Sequence, residues 1–310
     1  MTSFDAEGFD ATTFATHVAS LGRPWRTRFA PAPTGWLHLG HVVNLVWVWG
    51  LARAYDGRVL LRIEDHDRGR SRPDYEKGIL DDLEWLGLCP DEPGATLHRQ
   101  SDHAARFAAA LAPLEARGLV FACTCSRREI ASVNGDPASP ALRYPGTCRD
   151  RAVPLEVTTA RRVRVAPGME SVTDLRLGTQ QQEPAEQCGD VLVRDRHGDW
   201  TYQWCVSVDD LTQEVDIVIR GEDLLASSGR QLLLARLLGR VAPPAFLHHP
   251  LLRHSDGAKL SKANRDTGIR ELRGAGRSAA EVLGMAAHAS GLVAVERPVE
   301  ATDLHALFRA

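Results

Sequence analysis

Pro33-Thr34-Gly35-Trp36-Leu37-His38-Leu39-Gly40-His41 follows directly on Arg26-Thr27-Arg28-Phe29-Ala30, and the join between the two stretches decides the fold. Residues 26–30 read as a short strand, which Pro31, Pro33 and Gly35 bring to a stop. An apolar helix is then expected from Val42 to Arg53, with Gly57 in the turn beyond it. Arg58 to Ile63 is a nearly continuous apolar run, the pattern of a parallel strand buried on both faces. Strand, turn, helix and strand in so short a stretch make a βαβ unit. His38 and His41 are three residues apart and share a face at the helix N-terminus, where backbone N–H groups and the helix dipole favour anions. Gly40 between them leaves room for a ligand to approach closely.

The pattern extends outward from this unit. Pro73 starts a helix carrying Tyr75, Ile79, Leu83 and Leu86, and Phe107, Leu111 and Leu114 mark another that ends at Gly118. Asp195 to Asp199 reads as a hairpin turn. Asp216 to Arg220 is a second buried strand, Ser227-Ser228 caps a Leu-rich helix to about Leu238, and Phe246 to Leu252 is a further strand. After Ile269 the chain is alanine-rich and expected to be helical. The resulting class is α/β: a Rossmann-like, parallel-sheet, nucleotide-binding domain split by a connective insertion. Ligands of such sheets bind at the carboxyl ends of the strands.

Composition narrows the function classes. The chain has 310 residues, a net charge of −3 and a pI of about 6.5, so any nucleic-acid contact must come from a local basic face. The first 25 residues lack a secretory pattern and the longest apolar run is far too short to span a bilayer, so a soluble cytoplasmic protein without membrane contact is expected. Cys123-Thr124-Cys125 with Cys148 downstream suggests a metal site before a disulfide. Cys89, Cys188 and Cys205 have no partners in spacing. A second chemical motif, Lys259-Leu260-Ser261-Lys262-Ala263, lies in a glycine- and polar-rich loop and suits charge that grows during nucleotidyl transfer. No Gly-x-x-x-x-Gly-Lys-Ser/Thr stretch is present, which excludes a P-loop ATPase.

The His38–His41 and Lys259–Ala263 stretches resemble the two signature motifs of the class I aminoacyl-tRNA synthetases. Arg28 to Gly35, Arg62-Ile63-Glu64-Asp65 and Ile219-Arg220-Gly221-Glu222-Asp223-Leu224 look like the glutamyl branch of that family. The likeness runs from about residue 26 to 270. It implies ATP with Mg2+, and L-glutamate, as substrates. His38, His41 and Lys262 would be catalytic, with His38, Gly40, His41, Lys259 and Lys262 at the ATP. Arg28, Phe29, Ala30, Pro31, Ala32, Glu64, Tyr202 and Arg220 would bind glutamate, the arginines gripping carboxylates in bidentate fashion and Glu64 pairing with the ammonium. Cys123, Cys125, Tyr144 and Cys148 match the family's zinc ligands and would hold one structural Zn2+ in a small module of the insertion. The chain departs from the usual pattern at Ala32, where serine is common, and at Leu260 and Ala263.

The resemblance divides the chain into an extension at 1–24, nucleotide-binding halves at 25–118 and 206–252, and a connective insertion at 119–205. Residues 253–310 would hold the lysine loop and a short helical region. Only 47 residues follow Ala263, too few for a helical anticodon-binding domain. That combination resembles the glutamyl-queuosine tRNA(Asp) synthetases, which attach glutamate to the queuosine base in the anticodon of tRNA(Asp); a monomer is expected. Arginines 127, 128, 143, 149 and 151, and 265, 270, 273 and 277, are candidate phosphate contacts. Charging of a tRNA 3′ end, another nucleotidyltransferase of the superfamily and an inactive tRNA-binding paralogue are the rival readings.

Overall fold

A computed structural model describes residues 8–91, 97–134, 142–156, 158–252 and 268–309. Strand β1 (Arg26–Phe29) runs parallel to β2 (Arg58–Ile63), and β2 parallel to the short β3 (His98–Arg99). Helix α2 (Leu39–Ala54) makes the crossover between β1 and β2. It is apolar on every side and accordingly buried nearly all round, from Val42 to Ala52. Gly50 is needed there, because a Cβ would lie 2.2 Å from the Phe308 ring. Helix α1 (Ala11–Ser20), in the stretch expected to be an extension, places Phe14 in the same core at 0% exposure.

Strand β9 (Ile217–Gly221) is parallel to β10 (Ala245–His249), and β10 to β6 (Glu170–Asp174), with β7 (Gly178–Gln182) antiparallel on the edge. This group meets the first at β1 and β9. The Asp216 N–H donates to the Arg26 carbonyl at 2.9 Å, and the Asp216 carboxylate accepts from the Arg26 N–H at 2.9 Å. Residues 170–182, within the stretch read as the insertion, pair with the main sheet, where Phe246 of β10 pairs with Asp174. What remains separate is an antiparallel sheet of β4 (Val120–Cys123), β5 (Ala160–Val163) and β8 (Val191–Arg194), ordered β4-β5-β8.

The helices expected at Pro73, before Gly118 and after Ser227 form as α3 (Pro73–Trp85), α4 (Ala104–Ala116) and α8 (Ser228–Leu237). The Ser227 hydroxyl does not cap α8; it accepts instead from Gln203 Nε2 at 3.1 Å. Helix α7 (Tyr202–Thr212) ties the sheet together through charge. Arg62 of β2, 0% exposed, donates to Asp210 at 2.8 Å, Gln213 at 2.8 Å and Glu64 at 3.2 Å. Arg28 of β1 donates to the same Asp210 oxygen at 3.2 Å.

Helix α3 carries a buried carboxyl that is not fully hydrogen-bonded. Asp82 is 3% exposed and its Oδ2 has no hydrogen-bond partner, and burial pushes its pKa up to about 6 against the pull of Arg273. The folded-state pKa exceeds the unfolded one, so stability falls as pH rises between about 4 and 6, and the cost above that window is on the order of 1–3 kcal/mol. Asp82→Asn is therefore expected to stabilise the protein by that amount at pH 8 and hardly at all at pH 4. Denaturant midpoints at the two pH values measure this. Equal gains at both would mean the carboxyl carries no such penalty.

Candidate active site

A cleft of about 630 Å3 opens where β1, β2, β9 and β10 end and α2 begins. Its walls include Arg28, Phe29, Ala30, Pro31, Ala32, His38, Gly40, His41, Glu64, Tyr202 and Arg220. Thus residues expected from stretches as far apart as 28 and 220 converge on one cavity at the carboxyl ends of the strands. Lys259 and Lys262 lie outside the described residues. Leu252, just before that segment, lines the cleft, and Gly268, just after it, forms a β-bridge with His38.

His38 is the N-cap of α2. Its Nδ1 accepts from the Gly40 N–H at 3.1 Å, and the His41 Nδ1 accepts from the His38 N–H at 3.1 Å. Each neutral ring therefore carries its proton on Nε2. The two rings are 3.9 Å apart, giving two N–H donors beside a helix N-terminus. Gly40 serves the protein first: a Cβ there would sit 3.0 Å from the His38 ring, so the glycine lets that ring fold back onto the helix.

The opposite end of the cleft is cationic and tightly built. Arg220, buried to 4% exposure, donates to His248 Nε2 at 3.1 Å, Gln231 Oε1 at 2.8 Å, Ser228 Oγ at 2.8 Å and the Leu224 carbonyl at 3.2 Å. His248 is in turn held through Nδ1 by Asp174 at 2.5 Å. Burial lowers the Arg220 pKa, and Tyr202 beside it works the other way. Protein acceptors hold four of the five N–H donors of the Arg220 fork, and Tyr202 is a further hydrogen-bond partner. Arg28 keeps its Nη edge: its strong bond is from Nε to Asp210, and only a long 3.5 Å contact joins Nη1 to the Ile219 carbonyl. Burial raises the Glu64 pKa, and Arg62, His66 and Arg28 pull it back.

His66, Asn44 and His249 also line the cleft and were not singled out from the sequence. His66 stands two positions beyond Glu64, so an extended backbone puts both on one face, and that spacing was a usable signal. A second cleft of about 520 Å3 shares Tyr202 with the first and is lined by Arg127, Arg162, Arg196 and Arg230. Arg149, a candidate phosphate contact, donates to Asp190 at 2.6 Å and to the Val165 carbonyl.

The Sγ atoms of Cys123, Cys125 and Cys148 lie within 4.8 Å of one another, with 3.5 Å between Cys125 and Cys148. Tyr144 Oη is 3.5 Å from Cys123 Sγ and accepts from the Cys148 N–H at 2.7 Å. Three thiols at this spacing suit a soft, tetrahedral cation. Cys188 and Cys205 are buried elsewhere and Cys89 is exposed. Among the described residues no helix is long and apolar enough to cross a membrane.

Residues 24–284 match the family described as tRNA synthetases class I (E and Q), catalytic domain. The chain belongs to this family and is an enzyme of the ligase type. It is 40% identical over 285 residues to a glutamyl-Q tRNA(Asp) synthetase of Nitratidesulfovibrio vulgaris, covering 86% of this chain and 87% of that one. It is 42% identical over 308 residues to a glutamyl-Q tRNA(Asp) synthetase of Ralstonia nicotianae, covering 96% and 93%. Among solved structures, a glutamate tRNA ligase from Elizabethkingia meningosepticum, in complex with its amino acid, superposes with a TM-score of 0.72 at 25% identity. That match covers 86% of this chain and spans 60% of the ligase. The α/β parallel-sheet architecture is thus the class I catalytic fold.

Proposed function

We propose that the protein activates glutamate with ATP and Mg2+ and transfers it to the queuosine base in the anticodon of tRNA(Asp). The observation that carries this reading is the convergence of a histidine pair at a helix N-terminus with Arg28, Glu64 and Arg220 in one cleft. The names of relatives sharing about 40% identity over most of the chain supply the acceptor. The α-carboxylate of glutamate attacks the α-phosphorus of ATP, and pyrophosphate leaves. The His38 and His41 Nε2–H groups donate to phosphate oxygens, and Lys259 and Lys262 add charge at the leaving group. Magnesium would arrive with ATP and would offset the negative charge of its phosphates. Arg28 and Arg220 bind the carboxylates of glutamate, Glu64 and Tyr202 its amine end, and residues 29–32 shape the floor. A hydroxyl of the acceptor then attacks the activated carbonyl, and AMP leaves. The arginine-lined second cleft is the side from which an anionic polynucleotide reaches that carbonyl.

In this reading residues 25–118 and 206–252 are the two nucleotide-binding halves, with β6 and β7 joined to the second and the remainder of 119–205 forming the insertion. Cys123, Cys125, Tyr144 and Cys148 would hold one structural Zn2+ there. Purified protein is expected to contain about one zinc per chain, and a Cys123→Ser, Cys148→Ser variant to lose it together with several degrees of Tm. Metal analysis with calorimetry measures both, and full stability without zinc would remove the metal from the account.

ATP–pyrophosphate exchange with each amino acid, without tRNA, tests the activation step. Exchange with glutamate alone is the expected result, followed by glutamate transfer to queuosine-containing tRNA(Asp) and not to an unmodified transcript. Charging of unmodified tRNA would move the acceptor to the 3′ end. No exchange and no transfer would sink the enzyme reading altogether.

A further inference from the structure

We propose that His66 is a specificity-determining ligand of the substrate ammonium, through the lone pair of its Nε2. The inference rests on the reading of the cleft as a glutamate site.

The tautomer follows from a buried chain of hydrogen bonds. Asp209, 0% exposed, is a carboxylate and only accepts. Gln100, 1% exposed, must therefore direct its amide nitrogen to Asp209, which it does at 2.9 Å. Its amide oxygen then faces His66 Nδ1 at 2.7 Å. An oxygen there requires Nδ1 to donate, so the neutral ring carries its lone pair on Nε2. His66 itself lines the cleft together with Glu64 and Tyr202, with its ring 6.3 Å from that of Tyr202.

An ammonium brings three N–H donors into this wall, and each needs an acceptor once water is excluded. Glu64 serves part of it: the carboxylate, 5% exposed, already accepts from Arg62 at Oε1 and keeps its other oxygen. Tyr202 Oη and His66 Nε2 complete the set with Glu64. The arrangement differs from that of His38 and His41, whose Nδ1 atoms are the acceptors and whose Nε2 atoms carry protons. The cleft thus uses opposite histidine tautomers at its two ends, donors toward phosphate and an acceptor toward the amine.

The test compares glutamate with glutarate, which has the same two carboxylates and no amine. Binding of each to the whole protein is measured by calorimetry, glutarate by displacement where it is weak. His66→Phe keeps the ring and removes the nitrogens. It is expected to weaken glutamate about 10- to 100-fold, the range for a hydrogen bond to a charged group, and to change glutarate less than about threefold. His66→Gln, whose amide oxygen can accept, should recover part of the loss. Equal weakening of both ligands would make His66 merely structural, and unchanged glutamate affinity would overturn the proposal outright. Because binding is read without ATP, a wild-type protein that binds glutamate but shows no pyrophosphate exchange would defeat the functional reading while this comparison still judges His66.

Discussion

Arg220→Leu is expected to lower kcat/KM for glutamate in pyrophosphate exchange by about a thousandfold, mostly through KM. In the proposed reading the guanidinium supplies positive charge at the buried end of the cleft. Losing a buried, hydrogen-bonded charge partner typically costs about 3–5 kcal/mol, and each 1.4 kcal/mol is tenfold. Arg220→Lys is expected to recover little. An ammonium is a point charge with three donors, and it cannot serve His248, Gln231, Ser228 and the Leu224 carbonyl from a planar fork. Circular dichroism and a melting curve belong beside the kinetics, because these acceptors lie in the core. A folded Arg220→Leu variant with glutamate kinetics within fivefold of wild type would remove Arg220 from substrate recognition.

Arg62→Met carries the other large effect, and it falls on stability. Arg62 is 0% exposed and stands among Asp209, Asp210 and Glu64. Burial alone would drive off its proton, but Asp210, then Glu64 and Asp209, outweigh that and hold it above the usual arginine range. Without the guanidinium, these buried carboxylates lose a shared counter-charge. A destabilisation of about 3–5 kcal/mol is expected, read from denaturant titration with an unchanged m-value. Adding Asp210→Asn should restore part of it, since the second change removes one of the stranded charges. If Arg62→Met costs under about 1 kcal/mol, Arg28 alone suffices to neutralise Asp210.

The sheet was legible because its signals are local. Prolines and a glycine stop β1 at Ala30, and the apolar run of β2 has one reading at that length. The His38–His41 pair was legible because both residues sit on one helical turn. Arg62, by contrast, reads in sequence as one more residue of a buried strand. Its partners Asp209 and Asp210 lie about 148 positions away on a helix, and no local pattern announces such a cluster. Separations of 74 and 28 positions likewise hid the Asp174–His248–Arg220 chain, and a separation of similar order hid the attachment of residues 170–182 to the main sheet. Gly40 was read as clearance for a ligand, whereas its nearest constraint is the His38 ring, which only the folded cap reveals.

Arg26 and Asp216 grip each other through both backbone and side chain across 190 residues. That grip has a kinetic consequence. Closing a loop of this size carries an entropic cost on the order of 5 kcal/mol before any contact rewards it. Contacts so distant in sequence form slowly. During synthesis Arg28 and Glu64 leave the ribosome long before Arg220, so the nascent chain holds half a binding cavity until β9 arrives beside β1. Ligand affinity is then a property of the last stage of folding, and a refolding experiment should see secondary structure return well before glutamate can bind.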